Sequence, residues 1–216
     1  IDHIRKNQEQ SKNWEEVMKK TEEALKEIEK LKKEMGKGQG EKDSQEKYAK
    51  AVNKLNAMDW FKKGYVLRYR TKDNQEAMKA FDKAIEIDPN FARAYAGRAA
   101  IYNDWGQHEQ ALRESEQAIK LDPNLPWAFN TRGWAHTGLL NHKKAMEDFN
   151  RAIELDPKYV FPYYQRSRVY LIWKNYRQAF EDANKAIELD PELSIAYFRR
   201  GRALASLNNL QDAVKD

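Results

Sequence analysis

With 216 residues the chain is within the size of one ordinary domain; 41% of its residues are apolar and 34% are charged. Because it contains no cysteine, disulfide bonds, cysteine nucleophiles and cysteine-based metal sites are excluded. The net charge of +5 is too small to indicate a nucleic-acid-binding surface by itself. No apolar run of about 18 residues occurs, so we do not expect this segment to cross a membrane. Few glycines and prolines and no alternating apolar-polar runs favour an all-helical fold.

The first predicted element is an amphipathic helix within residues 1–35. Its apolar and small side chains recur every three or four residues, as on one side of a coiled-coil helix, at Trp14, Val17, Thr21, Ala24, Ile28, Leu31 and Met35. Four interpretations stay open: the helix dimerises as a coiled coil, packs on the helices of its own chain or a neighbour, ends a longer coiled coil, or stays solvated. Residues 36–44, rich in glycine and charge, are typical of a flexible linker. Residues 45–56 resume a helical pattern and lead into the next segment.

A unit of 34 residues repeats through the rest of the chain. An Asp-Pro pair marks each period, with the prolines 34 residues apart at Pro89, Pro123, Pro157 and Pro191. Alanine recurs at one position of the unit, at Ala77, Ala111, Ala145, Ala179 and Ala213. A small residue follows an aromatic one by four positions, at Gly64, Ala99, Gly133, Ser167 and Gly201. Small residues let two helices approach closely, and proline is tolerated in a first helical turn, so each unit predicts a helix pair.

This pattern resembles the tetratricopeptide repeat (TPR) family, whose 34-residue unit follows W-x2-L-G-x2-Y, A-x3-F and P. The resemblance implies an all-α fold, a right-handed superhelical TPR solenoid (an α-α superhelix), here preceded by the N-terminal helix or coiled coil. With the lead-in helix 45–56, the TPR domain covers residues 45–216, and its repeats are 57–91, 92–125, 126–159, 160–193 and a partial fifth, 194–216. The first repeat carries one extra residue, which we place in the turn at Thr71–Asn74.

Candidate catalytic residues are few, and the repeat explains them. No two histidines have the i,i+4 spacing of a helical metal site, and no nucleophile-elbow, phosphate-loop or zincin motif occurs. The aspartates before the prolines recur with the period, so we predict that they serve helix ends and turns. We therefore expect no enzyme, no cofactor and no metal.

Arginine also recurs, at Arg98, Arg132, Arg166 and Arg200, with Lys63 in the first repeat. Acidic residues recur on the second helices at Glu114, Asp148 and Asp182, where the first repeat has Ala80. This arginine ladder is either a basic surface for an acidic ligand or a set of ion pairs between helices. We favour ion pairs, because a half-buried arginine is rarely left unpaired.

The family resemblance places a peptide groove on the concave face, lined by the first helix of each repeat. The candidate groove residues are Phe61, Tyr65, Arg68, Tyr69, Arg93, Asn103, Trp127, Asn130, Trp134, Phe161, Tyr164, Arg168, Phe198 and Arg202. Aromatic and arginine side chains are the residue types of binding hot spots, although packing against neighbouring helices is the alternative. The carboxylate clamp of chaperone-binding family members is not expected, because its positions hold Phe61, Tyr65, Gly97, Trp127 and Thr131.

We therefore expect a scaffold or adaptor that binds a peptide or helical segment of a partner protein with apolar or aromatic and some acidic residues. One alternative is a regulatory or oligomerisation arm of a larger multidomain protein, and the N-terminal helix allows a homodimer. An RNA-binding helical repeat is less favoured, because the charge excess is small. The sequence does not indicate a compartment, and the cytoplasm is the default.

Overall fold

The computed structural model describes residues 56–213, with side chains up to residue 207, and four isolated positions, Glu23, Lys26, Lys30 and Lys33. Those four residues are helical and exposed. The apolar side of the predicted N-terminal coiled coil, the linker 36–44 and the lead-in helix up to residue 55 lie outside the described residues.

Nine α-helices follow one another in residues 56–213, and no strand occurs in this range. They are α1 (Ala57–Val66), α2 (Asn74–Ile87), α3 (Ala92–Asp104), α4 (His108–Leu121), α5 (Pro126–Gly138), α6 (His142–Leu155), α7 (Val160–Ile172), α8 (Tyr176–Leu189) and α9 (Ser194–Ala213). The prediction of an all-α fold built from helix pairs is confirmed. None of these helices is long and apolar enough to span a bilayer. The chain forms two compact units, Ile1–Gly97 and Arg98–Asp216.

Within the first unit, the core is built around the ring of Phe81 on α2. A Cβ atom added at Gly64 or at Gly97 would lie 2.7 or 2.6 Å from this fully buried ring. Glycine at these positions therefore lets the helices approach the phenylalanine closely. Phe61 and Phe91 extend the cluster, since the Phe61 ring centroid lies 5.9 Å from that of Phe81 and 5.4 Å from that of Phe91.

The second unit repeats this packing. Phe149 on α6 is fully buried, and a Cβ atom at Gly133 would lie 2.6 Å from its ring. A second cluster joins Tyr163, Ala186 and Ala196 on three successive helices. The first helices of successive repeats also touch, α5 with α7 and α7 with α9. These contacts between neighbours are the packing of a TPR solenoid.

The Asp-Pro pairs and the aromatic residues that follow them fix the connections between repeats. Each aspartate side chain accepts a hydrogen bond from the N–H group two residues later, as in Asp156 to Lys158 at 2.9 Å. The same contact occurs at Asp88, Asp122 and Asp190. The tyrosine six residues after a proline donates its hydroxyl to the proline carbonyl, at 3.0 Å for Tyr163 and Pro157. The predicted role of the aspartates in helix ends and turns is confirmed.

Inside each repeat, a residue with a left-handed backbone ends the first helix. Lys72, Gly106, Leu140 and Lys174 have φ values of 57°, 72°, 62° and 60°, and they stand 34 residues apart. At the last three, the N–H of the next residue donates to a carbonyl five residues back, as in Asn141 to His136 at 2.8 Å. This is the Schellman arrangement, which satisfies carbonyls that the helix end leaves free.

The extra residue of the first repeat lies earlier than predicted. Lys72 keeps the 34-residue spacing to Gly106, so the insertion precedes Lys72 rather than lying in the turn at Thr71–Asn74. A π-helical segment, Leu67–Thr71, continues α1, and the N–H of Asp73 reaches back six residues to the carbonyl of Leu67 at 3.0 Å. A π turn accommodates one extra residue without ending the helix. The 34-residue period of the sequence shows that a residue is inserted but does not locate it.

The fifth unit contributes a single helix. In the other repeats a turn separates the two helices, and the equivalent position here would follow Leu207. Instead, α9 runs without interruption to Ala213. A Cβ atom at Gly201 would meet nothing within 4 Å, in contrast to Gly64 and Gly133, which face a phenylalanine of the second helix. The face of α9 around Gly201 therefore has the open space that a second helix fills in the other repeats.

Candidate functional site

The arginine ladder pairs within each repeat. Guanidinium nitrogens of Arg98, Arg132 and Arg166 each lie 2.7 Å from an acid 16 residues later on the second helix. These acids are Glu114, Asp148 and Asp182. The prediction of ion pairs between helices is confirmed for these three arginines, whereas Arg200 donates to the amide of Asn184. The three ion pairs connect the first and second helices of their repeats.

Burial shapes the electrostatics of the ladder. It raises the pKa of Asp148 and of Asp182, although the hydrogen bonds and charges of Arg132 and Arg166 act in the opposite direction.

Arg166 also donates to Asn150 of the preceding second helix at 2.6 Å, so it connects neighbouring repeats. In the first repeat, Ala80 occupies the acid position, and the Lys63 amine lies 5.1 Å from the Trp60 ring centroid.

Three of the candidate groove residues are buried. Phe61 is only 5% exposed and belongs to the aromatic cluster around Phe81. Asn103 is 4% exposed, donates its Nδ2 to the carbonyl of Thr131 at 2.9 Å and places its Oδ1 3.1 Å from Nδ1 of His108. Asn130 is buried as well. In this structure Phe61 contributes to the packing around Phe81, and Asn103 connects α3 with α5.

The other candidates keep some exposure. Half-buried are Tyr65, Arg68, Tyr69, Trp127, Trp134, Phe161 and Tyr164. Exposed are Arg93, Arg168, Phe198 and Arg202. Phe198, at 60%, is among the most exposed large apolar side chains of the described residues.

In the first unit, the aromatic candidates form a stack along α1 and the π segment. The ring centroids of Tyr65 and Tyr69 are 4.5 Å apart, and those of Phe61 and Tyr65 are 6.2 Å apart. The guanidinium of Arg68 lies 4.5 Å from the Tyr69 ring centroid. Burial raises the pKa of Tyr65, and the nearby Arg68 charge opposes this rise. The stack holds these rings in fixed orientations.

In the second unit, the candidates lie on α5, α7 and α9, which contact one another in sequence. Phe161 packs edge-on against Tyr164 with ring centroids 5.9 Å apart. The guanidinium of Arg202 lies 6.0 Å from the ring of Phe198. We call the set Trp127, Trp134, Tyr164, Arg168, Phe198 and Arg202 the aromatic-arginine face.

One residue of this region was missed by the sequence reasoning. Arg199 stands on α9 next to the ladder residue Arg200, and its guanidinium lies 5.6 Å from the ring centroid of Tyr164. Its Nε atom is buried and has no hydrogen-bond partner. Burial, together with repulsion from Arg168 and Arg202, lowers the pKa of Arg199 to about 10, and Tyr164 opposes this shift. The run of three arginines within four residues was the available signal.

Among the described residues, no three histidine, aspartate or glutamate side chains come together as a metal site would need. His136 is the nearest approach to such chemistry. Its Nε2 atom lies 4.0 Å from the Asp148 carboxylate, and burial lowers its pKa.

Family models of the tetratricopeptide repeat match residues 60–91, 80–113, 126–159 and 162–193. Together these matches cover more than half of the chain. They overlap each of the four full helix pairs, although residues 114–121 of α4 lie outside them. A search among curated proteins gave no significant match.

Solved structures with the same fold are numerous. TTC0263, a thermophilic TPR protein of Thermus thermophilus, is 20% identical with a TM-score of 0.59, covering 74% of this chain and 93% of its own. YrrB, described as a TPR protein with an unusual peptide-binding site, is 22% identical with a TM-score of 0.53 and coverages of 77% and 87%. The first TPR of Spaghetti (RPAP3), solved with the HSP90 peptide SRMEEVD, is 21% identical with a TM-score of 0.52 and coverages of 56% and 96%.

Proposed function

Because the chain belongs to the tetratricopeptide repeat family, a family of protein-interaction scaffolds, we propose that the aromatic-arginine face binds a peptide or helical segment of a partner protein. YrrB and the RPAP3 domain, which share the fold, are described as having a peptide-binding site and a bound peptide. Helical repeats bind such ligands along the first helices of consecutive units.

One observation carries the proposal: large aromatic side chains stay accessible where other residues already fill the core. The core cluster around Phe149 contains Ala145, Met146 and Val169, and the half-buried Trp134 is not part of it. Phe198 is 60% exposed on the neighbouring face of α9. Accessible aromatic rings with arginines between them have the composition of binding hot spots.

The composition of the face also indicates the ligand. Apolar or aromatic side chains of a partner bury surface against rings such as Trp134, which is favourable by about 25 cal/mol per Å². Arg168 and Arg202 are exposed cations that suit acidic residues of the same segment. We expect removal of one central aromatic anchor to cost about 2 kcal/mol, some thirtyfold in affinity.

The test uses Trp134→Ala and a matched control. Trp173 is an exposed tryptophan, at 39%, and it lies at the end of α7 in the inter-helix turn. A pull-down with the full chain and both variants, followed by mass spectrometry, identifies proteins that Trp134→Ala loses and Trp173→Ala keeps. Titrations of the recovered partner then measure the two affinities. Equal, small losses from both variants would mean that this face is not the binding site.

The homodimer expected through the N-terminal helix stays a prediction, because its apolar side lies outside the described residues. Sedimentation of the full chain and of a chain lacking residues 1–40 tests it. We expect a dimer mass only for the full chain, since a coiled coil buries its apolar seam against a second copy. Monomer masses for both would contradict the prediction.

A further inference from the structure

Two kinds of arginine occur on the first helices of the second unit. Ladder arginines such as Arg166 are half-buried and hold a carboxylate, here Asp182 at 2.7 Å. Arg199 is also half-buried, yet no acidic side chain among the described residues pairs with it, and its buried Nε atom has no hydrogen-bond partner. Arg168 on α7 and Arg202 on α9 add positive charge around it.

The contrast matters because removing a guanidinium from water is costly unless an anion compensates. For Arg166 the carboxylate of Asp182 provides this compensation: burial lowers the pKa of Arg166, but that hydrogen bond and charge raise it overall. For Arg199 the pKa falls to about 10, because burial and the charges of Arg168 and Arg202 lower it more than Tyr164 raises it. Among the described residues, this cationic cluster therefore has no compensating carboxylate.

We propose that Arg168, Arg199 and Arg202 form a receptor for a carboxylate of the partner, an aspartate or glutamate side chain next to an apolar or aromatic residue. This inference rests on the proposed function and names the chemistry that its site recognises. The planar guanidinium of Arg199 can hold a carboxylate through two parallel hydrogen bonds. Phe198, with the Arg202 guanidinium 6.0 Å from its ring, offers adjacent apolar surface.

Charge complementarity selects this occupant over a purely apolar one. Three arginines without a carboxylate among the described residues repel one another, and a single anion relieves all three interactions. A neutral amide of the same shape relieves none of them. The acid should therefore bind at least tenfold more tightly than its amide, with the difference shrinking at high salt where exposed charges are screened.

The probe is an array of synthetic 12-residue peptides in matched pairs. In each pair, one peptide contains Glu-Phe or Asp-Leu, and the other contains the corresponding neutral sequence, Gln-Phe or Asn-Leu. A uridine oligonucleotide serves as the nucleic-acid probe. We expect the full chain to prefer the acidic members at least tenfold. Arg199→Met should lose this preference, whereas Arg200→Met, one residue away and bonded to Asn184, should keep it.

A folding defect is separated from a binding defect in two ways. Arg199→Met removes an uncompensated charge, so its urea midpoint should stay equal to that of the wild type or rise. The double variant Arg168→Gln, Arg202→Gln changes only exposed side chains and should also lower the acid preference about tenfold.

The outcomes distinguish this inference from the proposed function. Peptide binding that Trp134→Ala weakens, but without preference for acids, overturns the carboxylate receptor and leaves the peptide face standing. A preference for acids that survives Arg199→Met also overturns the receptor. Tighter binding of the oligonucleotide, sensitive to Arg199→Met, overturns it in favour of nucleic acid. No binding of any peptide counts against both proposals.

Discussion

Replacing Arg132 by methionine should destabilise the protein more than replacing its partner Asp148 by alanine. Asp148 is 4% exposed, and Arg132 donates three hydrogen bonds to it at 2.7 to 3.2 Å. Without Arg132 the carboxylate stays buried and loses these three hydrogen bonds, since methionine has no donor and the Nε2 atom of His136 is 4.0 Å away. Without Asp148 the guanidinium, whose side chain is 27% exposed, can still turn towards water.

The expected losses of stability follow from the different burial of Asp148 and Arg132. Leaving a buried charge without its partner costs about 3–5 kcal/mol, which is our expectation for Arg132→Met. A partly exposed cation that regains water costs about 1–3 kcal/mol, which is our expectation for Asp148→Ala. In the first repeat the acid position is already Ala80, so the fold accommodates alanine there.

Acid should restore part of the stability that Arg132→Met loses. Burial raises the pKa of Asp148 above its ordinary value, and Arg132 provides the main opposing effect. When the folded-state pKa of a carboxyl lies above its unfolded value, the folded state binds the proton more strongly, so stability falls as pH rises through that range. Without Arg132 the pKa rises further, and the deficit relative to the wild type should shrink between pH 7 and pH 5.

Urea unfolding followed by circular dichroism measures these differences at both pH values. The exposed pair Arg151–Glu154 is the control, and Arg151→Met should cost less than about 0.5 kcal/mol. Equal losses from Arg132→Met and Asp148→Ala, or a deficit that does not change with pH, would refute the reasoning from burial.

Three further changes can be followed by the same assay. His136→Tyr should reduce the loss of stability below pH 6.5, because burial lowers the His136 pKa and the unfolded state then binds the proton first; an unchanged loss would contradict this. Gly133→Val should cost about 2 kcal/mol or more against the Phe149 ring, whereas Gly201→Val, in open space, should not destabilise. Leu140→Gly should stabilise by about 0.5 kcal/mol, because Leu140 is 77% exposed at φ 62°; a loss would oppose it.

The sequence predicts the helix pairs well because each period carries its own local signals. Asp156 begins a turn through its side chain, and Tyr163 donates to the carbonyl of Pro157, so residues a few positions apart determine the connection. The extra residue of the first repeat has no such signal. A π segment requires no glycine or proline, and Leu67–Thr71 reads as an ordinary helical stretch.

The candidate face is predicted less well, since exposure depends on neighbours that the period does not specify. Phe61 was expected to be accessible, yet Phe81 and Phe91 close around it. Asn103 was expected to contact a ligand, yet the carbonyl of Thr131, 28 residues later, accepts its hydrogen bond. Such distant partners become visible only when the helices are placed.

The two neighbouring arginines of α9 show why position on the helix decides their roles. Arg200 continues the ladder, and its guanidinium donates to Asn184 of the preceding helix at 3.3 Å. Arg199 is one residue earlier, which turns it by about 100° around the helix axis, towards Tyr164 of the neighbouring first helix. This rotation directs Arg199 away from the acidic residues of the second helices and places it near Arg168 and Arg202. Carboxylates of the same chain compensate the ladder arginines Arg132 and Arg166. Because Arg199 has no such carboxylate among the described residues, it is where we propose that a partner's acidic residue contributes most.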